Sequence, residues 1–247
     1  MTGGNVVVNQ LNGKDPSELT SPFVNCMTSY GVGQQRGIYH DGRTWKNIGI
    51  ISVDGTLYLS VARQVDGAGG YPVGFQPSDD VSIIKSTDHG RTWTNSFGTT
   101  NDPKGAAPPP DRSGRGAEAM FPGTTFATPA FIQYGRDDNI ASTADGGGRY
   151  VFAISNDGFA YDGSYYILGR VPRSKIGHLN AADWRFYTGP AGGDGMNPAN
   201  WSGEASQATH ILRAPHQLSQ ASVQYIRALH SYVLASRSGS PRPDVTG

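Results

Sequence analysis

The sequence is poor in several features that would mark particular classes of protein. Cys26 is its single cysteine, so no intrachain disulfide and no cysteine-based zinc site can form, and we expect a small buried apolar side chain there. No apolar run approaches the roughly 20 residues that cross a bilayer. Lys and Arg together number 20, as do Asp and Glu, so no net field attracts an anionic polymer or surface. We therefore expect neither nucleic acid nor membrane as a partner.

Motifs for cofactors and metals are also missing. The six histidines show no metal-ligand spacing, and neither an HExxH motif nor a phosphate-cradling loop is present. The glycine cluster at 146–148 lacks the strand–helix context of a nucleotide site. The sequence predicts no metal and no cofactor.

Helical periodicity is nearly absent, apart from two short segments at 174–180 and 203–209. The chain has instead 34 glycines and 16 prolines that separate short runs rich in Val, Ile, Tyr and Phe. The clearest case is a pair of such runs joined by Asp54-Gly55, a dipeptide that favours a two-residue hairpin because both turn positions need φ > 0. The sequence predicts an all-β fold.

A similar pair of strands recurs at uneven spacing, which is typical of propeller blades with variable loops. The predicted pairs are 50–53 with 57–62, 129–134 with 150–155, and 221–225 with 232–237. The predicted third and fourth strands are 38–40 with 44–46, 81–86 with 92–95, and 165–171 with 184–188. We therefore predict a β-propeller of four-stranded antiparallel blades.

These strands amount to about three blades, whereas propellers close with at least four. We expect an incomplete ring and a chain that is a piece of a longer protein. The predicted division is an irregular N-terminal segment at 1–36, blades at 37–237 and an unstructured tail at 238–247.

One segment matches every defined position of the pattern Ser/Thr-x-Asp-x-Gly-x-Thr-Trp. Its matching residues are Ser86, Asp88, Gly90, Thr92 and Trp93. The pattern resembles the Asp-box of sialidase-like propellers, in which it forms the turn between strands three and four, away from the active site. The resemblance implies a structural role for Asp88, and residues 40–45 look like a degraded copy.

A narrower resemblance covers roughly residues 36–237. The segments 126–135, 150–157, 169–176, 184–189 and 222–225 follow the order seen in a domain-of-unknown-function propeller family that includes bacterial endo-D-arabinanases. The resemblance implies a glycoside hydrolase acting on polysaccharide of arabinan type. A Phe/Tyr-Arg-Ile-Pro segment is missing, so a sialic acid arginine triad is not supported.

Two alternatives remain open at this point. The chain is a non-catalytic carbohydrate-binding or scaffold propeller, or it is an inactive piece of a longer enzyme. A carbohydrate substrate suggests an extracellular location, although the first residues lack the basic start and apolar core of a secretory signal.

Hydrolysis of a glycosidic bond needs two facing carboxyl groups. In a propeller they come from the loops between strands two and three and between strand four and the next blade. The predicted catalytic residues are Glu118, Asp66 and Asp157, and the predicted substrate-binding residues are Arg63, Tyr161 and Trp201. Glu118 is the preferred general acid, because its small apolar neighbours would raise its pKa.

The same loops hold further candidates, namely Asp79, Asp80, Asp111, Asp162, Asp194, Glu204, His210 and His216. Asp157-Gly158 and Asp162-Gly163 are also typical turn pairs, so a purely structural role for these aspartates stays open.

Overall fold

The computed structural model describes residues 7–9, 23–26, 43–65, 77–90, 93, 119–144, 148–159 and 162–236. Strands dominate these residues. They are β1 (Val7–Asn9), β2 (Phe23–Cys26), β3 (Arg43–Val53), β4 (Thr56–Val65), β5 (Ser78–Ser86), β6 (Ala130–Gln133), β7 (Tyr150–Asn156), β8 (Gly163–Pro172), β9 (Arg185–Tyr187), β10 (Trp201–Ser202), β11 (Leu212–Leu218), β12 (Ala221–Ile226) and β13 (Ser231–Ser236).

Helical structure in this part of the chain is limited to short 3-10 segments. The longest spans Arg173–His178, and Ala205–Gln207 forms another, so both lie where the sequence predicted short helices. None of the described helices is long and apolar enough to cross a membrane. The all-β prediction is confirmed.

Strands β3 and β4 form the predicted hairpin. Asp54 and Gly55 have φ of 51° and 76°, and Val53 pairs with Thr56 across the turn. The predicted break between strands at 44–46 and 50–53 is wrong, because β3 continues from Arg43 to Val53. A register shift between Asn47 and Gly49 absorbs the extra residue, so β4 pairs along the whole length of β3.

The strands form two successive antiparallel units and a final hairpin. The first unit is β3–β4–β5, and the second unit is β6–β7–β8–β9 with β10 at its edge. The final hairpin, β12–β13, joins the second unit through parallel pairing of β12 with β6. Strand β11 pairs with the first half of β8, beside the part of β8 that pairs with β9.

Contacts between β3 and β6 advance in the same direction along both strands. The Ser60 hydroxyl of β4, whose residue pairs with Gly49 of β3, donates to the Pro129 carbonyl (2.7 Å). Further along, the Gln133 side chain donates to the Ile50 carbonyl (2.6 Å). The two strands therefore run parallel, and the first strands of the two units and of the final hairpin lie side by side in the order β3, β6, β12.

The second unit has an apolar cluster on each face, and this explains the nearly continuous apolar sequence of β7. One cluster packs Val81 and Ile83 of the first unit against Trp184 and Phe186 of the second unit. The other packs the second unit against the final hairpin. Strand β13 is an exposed edge, and the strands of the described residues do not close into a ring or barrel.

At the N-terminal side, β1 pairs with β2 in antiparallel orientation, with a register shift between Val8 and Asn9. The predicted tail at 238–247 lies outside the described residues. The division of the chain into three segments stays a prediction.

Candidate functional site

The structure describes part of the predicted site. Glu118, Asp66 and Tyr161 lie outside the described residues, and Arg63 is described only as backbone in β4. Asp157 and Trp201 are described with their side chains, so the geometry of the site starts from them.

Asp157 lies directly after β7, in the connection to β8. Both of its carboxylate oxygens face the amide of Ser164, at 3.3 and 3.1 Å. Gly163 makes this arrangement possible, since a Cβ there would lie 2.7 Å from Asp157 Oδ1 and 2.8 Å from the Leu218 carbonyl oxygen. Only a residue without a side chain lets the carboxylate and β11 approach β8 together.

Burial raises the pKa of the Asp157 carboxyl above its ordinary value of 3.8, and the hydrogen bond from Ser164 opposes this effect. The neighbouring charge of Asp162 raises the pKa further, and His216 lowers it. Burial is the largest cause. Asp157 is therefore a carboxyl group that keeps its proton to a higher pH than an exposed aspartate does.

The second carboxylate of this connection, Asp162, is paired with a histidine from β11. The Nδ1 atom of His216 lies 3.1 Å from Asp162 Oδ1. The Asp162 side chain is 2% exposed, whereas that of His216 is 59% exposed. We call Asp157, Asp162 and His216 the Asp157 cluster.

Three further side chains border this cluster along β8 and β11. Tyr165 stacks on His210 with ring centroids 3.6 Å apart and an interplanar angle of 9°. Arg213 pairs with Tyr165 in the β11–β8 register. Burial raises the pKa of Tyr165, whereas burial and the charge of Arg213 lower the pKa of His210. These three side chains therefore provide two stacked aromatic rings, Tyr165 and His210, and one cation, Arg213.

Sequence reasoning placed Asp162, His210 and His216 in loops and did not pair them. The reason is that β11 was not predicted, since Pro215 interrupts its strand pattern and proline is confined to edges and irregular positions. Gly163, which follows the acidic turn residues at the start of β8, was the available signal that another part of the chain approaches the backbone closely here. It does not identify β11 as the strand that approaches.

The first unit meets the second beside this cluster. The Ser78 amide donates to the Gly158 carbonyl (2.6 Å), and Pro77 forms a bridge with Phe159. The start of β5 therefore lies next to Asp157. Strand β5 then runs nine residues to Ser86, about 26 Å at the usual rise per residue. The turn after Ser86 is thus at the other end of the strand from Asp157.

The turn after β5 is held by its own side chains. The Ser86 hydroxyl accepts the Gly90 amide (2.8 Å) and donates to Asp88 Oδ1 (2.8 Å). Gly90 has φ of 86°, and the buried Trp93 donates its indole N–H to the Gly90 carbonyl (3.0 Å). Thr92 lies outside the described residues. These bonds indicate a structural role for the turn.

Trp201 lies in a different environment from Asp157. Its ring stacks under the Arg170 guanidinium, 3.7 Å from the ring centroid, and its indole N–H donates to the Gly195 carbonyl (2.9 Å). It lines a largely apolar cavity of about 520 Å³ between the second unit and the final hairpin. The described contacts of Trp201 therefore belong to this cavity and not to the Asp157 cluster.

Within the described residues, no group of three or more His, Cys, Asp or Glu side chains is arranged to hold a metal ion. No protein-family model matches the chain, and no curated protein matches it at a significant level.

Proposed function

We propose that this chain is a glycoside hydrolase-like β-propeller that acts on polysaccharide of arabinan type, with Asp157 as its general acid. The observation that carries the proposal is a half-buried carboxyl group of raised pKa next to a second carboxylate, Asp162. A general acid must hold its proton at the working pH, and burial together with a like charge is the usual means.

The arrangement of the units supports the propeller. Successive antiparallel units whose first strands lie parallel and side by side are what a propeller places around its axis. The side-by-side order of β3, β6 and β12 supports this part of the proposal.

The position of Asp157 supports a site near that axis. Its connection adjoins the start of β5, where the Ser78 amide bonds to Gly158. Connections between strands two and three of neighbouring blades meet at one end of a propeller, where a polymer can be bound by both.

The test is to incubate the chain with arabinans and a panel of other polysaccharides and to follow released reducing ends. We expect Asp157→Asn to lower turnover by roughly 10²–10⁴-fold with nearly unchanged glycan affinity, because the amide keeps the shape but supplies no proton. Asp183→Asn is the matched control, since Asp183 lies after β8 and pairs with Lys175. Absence of released sugar over the whole panel would overturn the proposal, and full turnover by Asp157→Asn would remove Asp157 from the acid role.

The second candidate is a carbohydrate-binding propeller without catalysis. It is favoured by the way that the Ser164 amide engages both oxygens of Asp157, which also suits a turn-stabilising role. Glycan binding without product release, measured in the same panel, assigns this function instead.

A further inference from the structure

The pairing of His216 with Asp162 defines the orientation of an exposed imidazole. Asp162 is buried and, as a carboxylate, can only accept hydrogen bonds. The Nδ1 atom of His216 at 3.1 Å therefore carries the hydrogen, and Nε2 keeps its lone pair on the ring's other side. A buried carboxylate that holds a histidine in this tautomer is the arrangement by which histidine serves as a base.

The backbone of His216 is also held in an uncommon conformation. Its φ is 59°, a region that residues other than glycine seldom adopt, and it lies in the part of β11 where the register with β8 breaks. The His216 amide donates to the Ser164 hydroxyl (3.2 Å). Ser164 thus contacts both His216 and Asp157, and the strained backbone brings the imidazole to Asp162.

Two neighbouring stretches of the chain, 157–165 and 210–213, supply the charged and titratable groups on and beside the paired strands β8 and β11. Asp157 and Asp162 come from the connection before β8, and Tyr165 follows them in β8. Arg213 and His210 come from β11 and the segment before it. Asp157 interacts electrostatically with both Asp162 and His216. An acid and a base of different chemical type therefore lie in one cluster.

We propose that His216 is the general base of the hydrolysis and that Asp162 is its positioning residue. This inference rests on the proposed function. His216 Nε2 takes a proton from water, and the water oxygen forms a bond to the anomeric carbon as the bond to the leaving oxygen breaks. Asp157 gives its proton to the leaving oxygen. Water and the glycosidic bond are consumed, two sugar ends are formed, and the reaction inverts the anomeric configuration.

His178 is a matched control for this role. Its Nδ1 lies 3.2 Å from Asp183 Oδ2, and its side chain is also 59% exposed, but the pair lies after the other end of β8. The variants to compare are therefore His216→Asn, Asp162→Asn and His178→Asn in the full chain. Asparagine is chosen because it tolerates the left-handed backbone that His216 requires.

On the polysaccharide that the wild-type chain cleaves, we expect His216→Asn to lose at least 100-fold in kcat with KM nearly unchanged, and His178→Asn to keep full activity. Added imidazole should restore part of the lost rate, because the site is open to solvent. Asp162→Asn should lower kcat by roughly tenfold or more with KM nearly unchanged, since an amide does not hold the Nδ1 hydrogen of His216 as the carboxylate does.

Four results would overturn all or part of the inference. If His216→Asn folds and keeps kcat within threefold, or if the product retains its anomeric configuration, His216 is not the base while the proposed function stands. If Asp162→Asn lowers stability but keeps kcat within threefold, Asp162 has no positioning role. If the wild-type chain cleaves nothing in the panel, both the proposed function and this inference are wrong.

Discussion

Strand β8 has a carboxylate cluster beyond each of its ends. Before Gly163 lies the Asp157 cluster, in which an exposed histidine pairs with a buried carboxylate. After Pro172, the Arg173 guanidinium bonds to Asp54 at 2.8 and 3.0 Å and to the buried Asp138 at 2.5 Å. The two clusters are about 30 Å apart along the ten residues of the strand.

The two clusters differ in what neutralises their carboxylates. The cation at the second cluster is an arginine, which stays charged at every working pH. Nearby Asp137 accepts the Ser52 hydroxyl and the Gly55 amide, and these bonds lower its pKa. At the Asp157 cluster the partner of the buried Asp162 is the imidazole of His216. The Arg173 end therefore holds its carboxylates with a permanent cation, whereas the Asp157 end pairs a buried carboxylate with a histidine.

The largest expected effect is on stability and concerns the Arg173 end of β8. Arg173→Ala leaves the carboxylate of Asp138, 1% exposed, without its cation and should lower the free energy of unfolding by about 3–5 kcal/mol, measured by urea denaturation. Lys175→Ala is the control, since it removes the more exposed pair with Asp183 and should cost less than about 1 kcal/mol. Equal losses for the two variants would contradict the assigned difference.

The next effect is on the Asp157 end. Gly163→Ala introduces a Cβ 2.6 Å from the Asn156 side-chain nitrogen and 2.7 Å from Asp157 Oδ1, so it should lower the free energy of unfolding by about 1–3 kcal/mol. Turnover should fall as well, because the Asp157 carboxylate is displaced. Gly195→Ala, where nothing lies within 4 Å of the new Cβ, should be nearly neutral. If Gly163→Ala kept wild-type stability and turnover, the prediction that a side chain at this position displaces Asp157 and disturbs the site would be wrong.

The smallest effect concerns pH. Because burial raises the pKa of Asp157 in the folded chain, the folded state binds this proton more tightly than the unfolded state does. The stability that the protonated form contributes is lost as pH rises from 3.8 through the raised pKa. Asp157→Asn has no such loss. The difference in Tm between this variant and wild type should therefore increase as pH rises through that window and stay constant above it. A constant difference between pH 3 and 8 would contradict the raised pKa.

Local patterns in the sequence were enough to predict most strands. Short runs rich in Val, Ile, Tyr and Phe predicted β7, β8, β12 and β13, and Asp54-Gly55 predicted the hairpin turn. The continuous β3 and the whole of β11 were missed, because a bulge and Pro215 interrupt the alternation on which such predictions rest.

For the candidate site, the sequence supplied the residues but not their pairing. Asp157, Asp162 and His216 were all named as loop candidates, yet His216 is 54 positions from Asp162 and comes from a strand that was not predicted. Trp201 was grouped with the catalytic loops, and the structure places it in an apolar cavity under Arg170.

The sequence by itself determined the short-range features of this protein: strand period, the hairpin turn and the turn at 86–90. Each of these depends on dihedral preferences and hydrogen bonds among residues a few positions apart. Tertiary structure alone decided which charges meet. Arg173 reaches Asp54 of the first unit across 119 positions and Asp138 of its own unit across 35, and only the packing of the strands brings such distant groups within hydrogen-bonding distance.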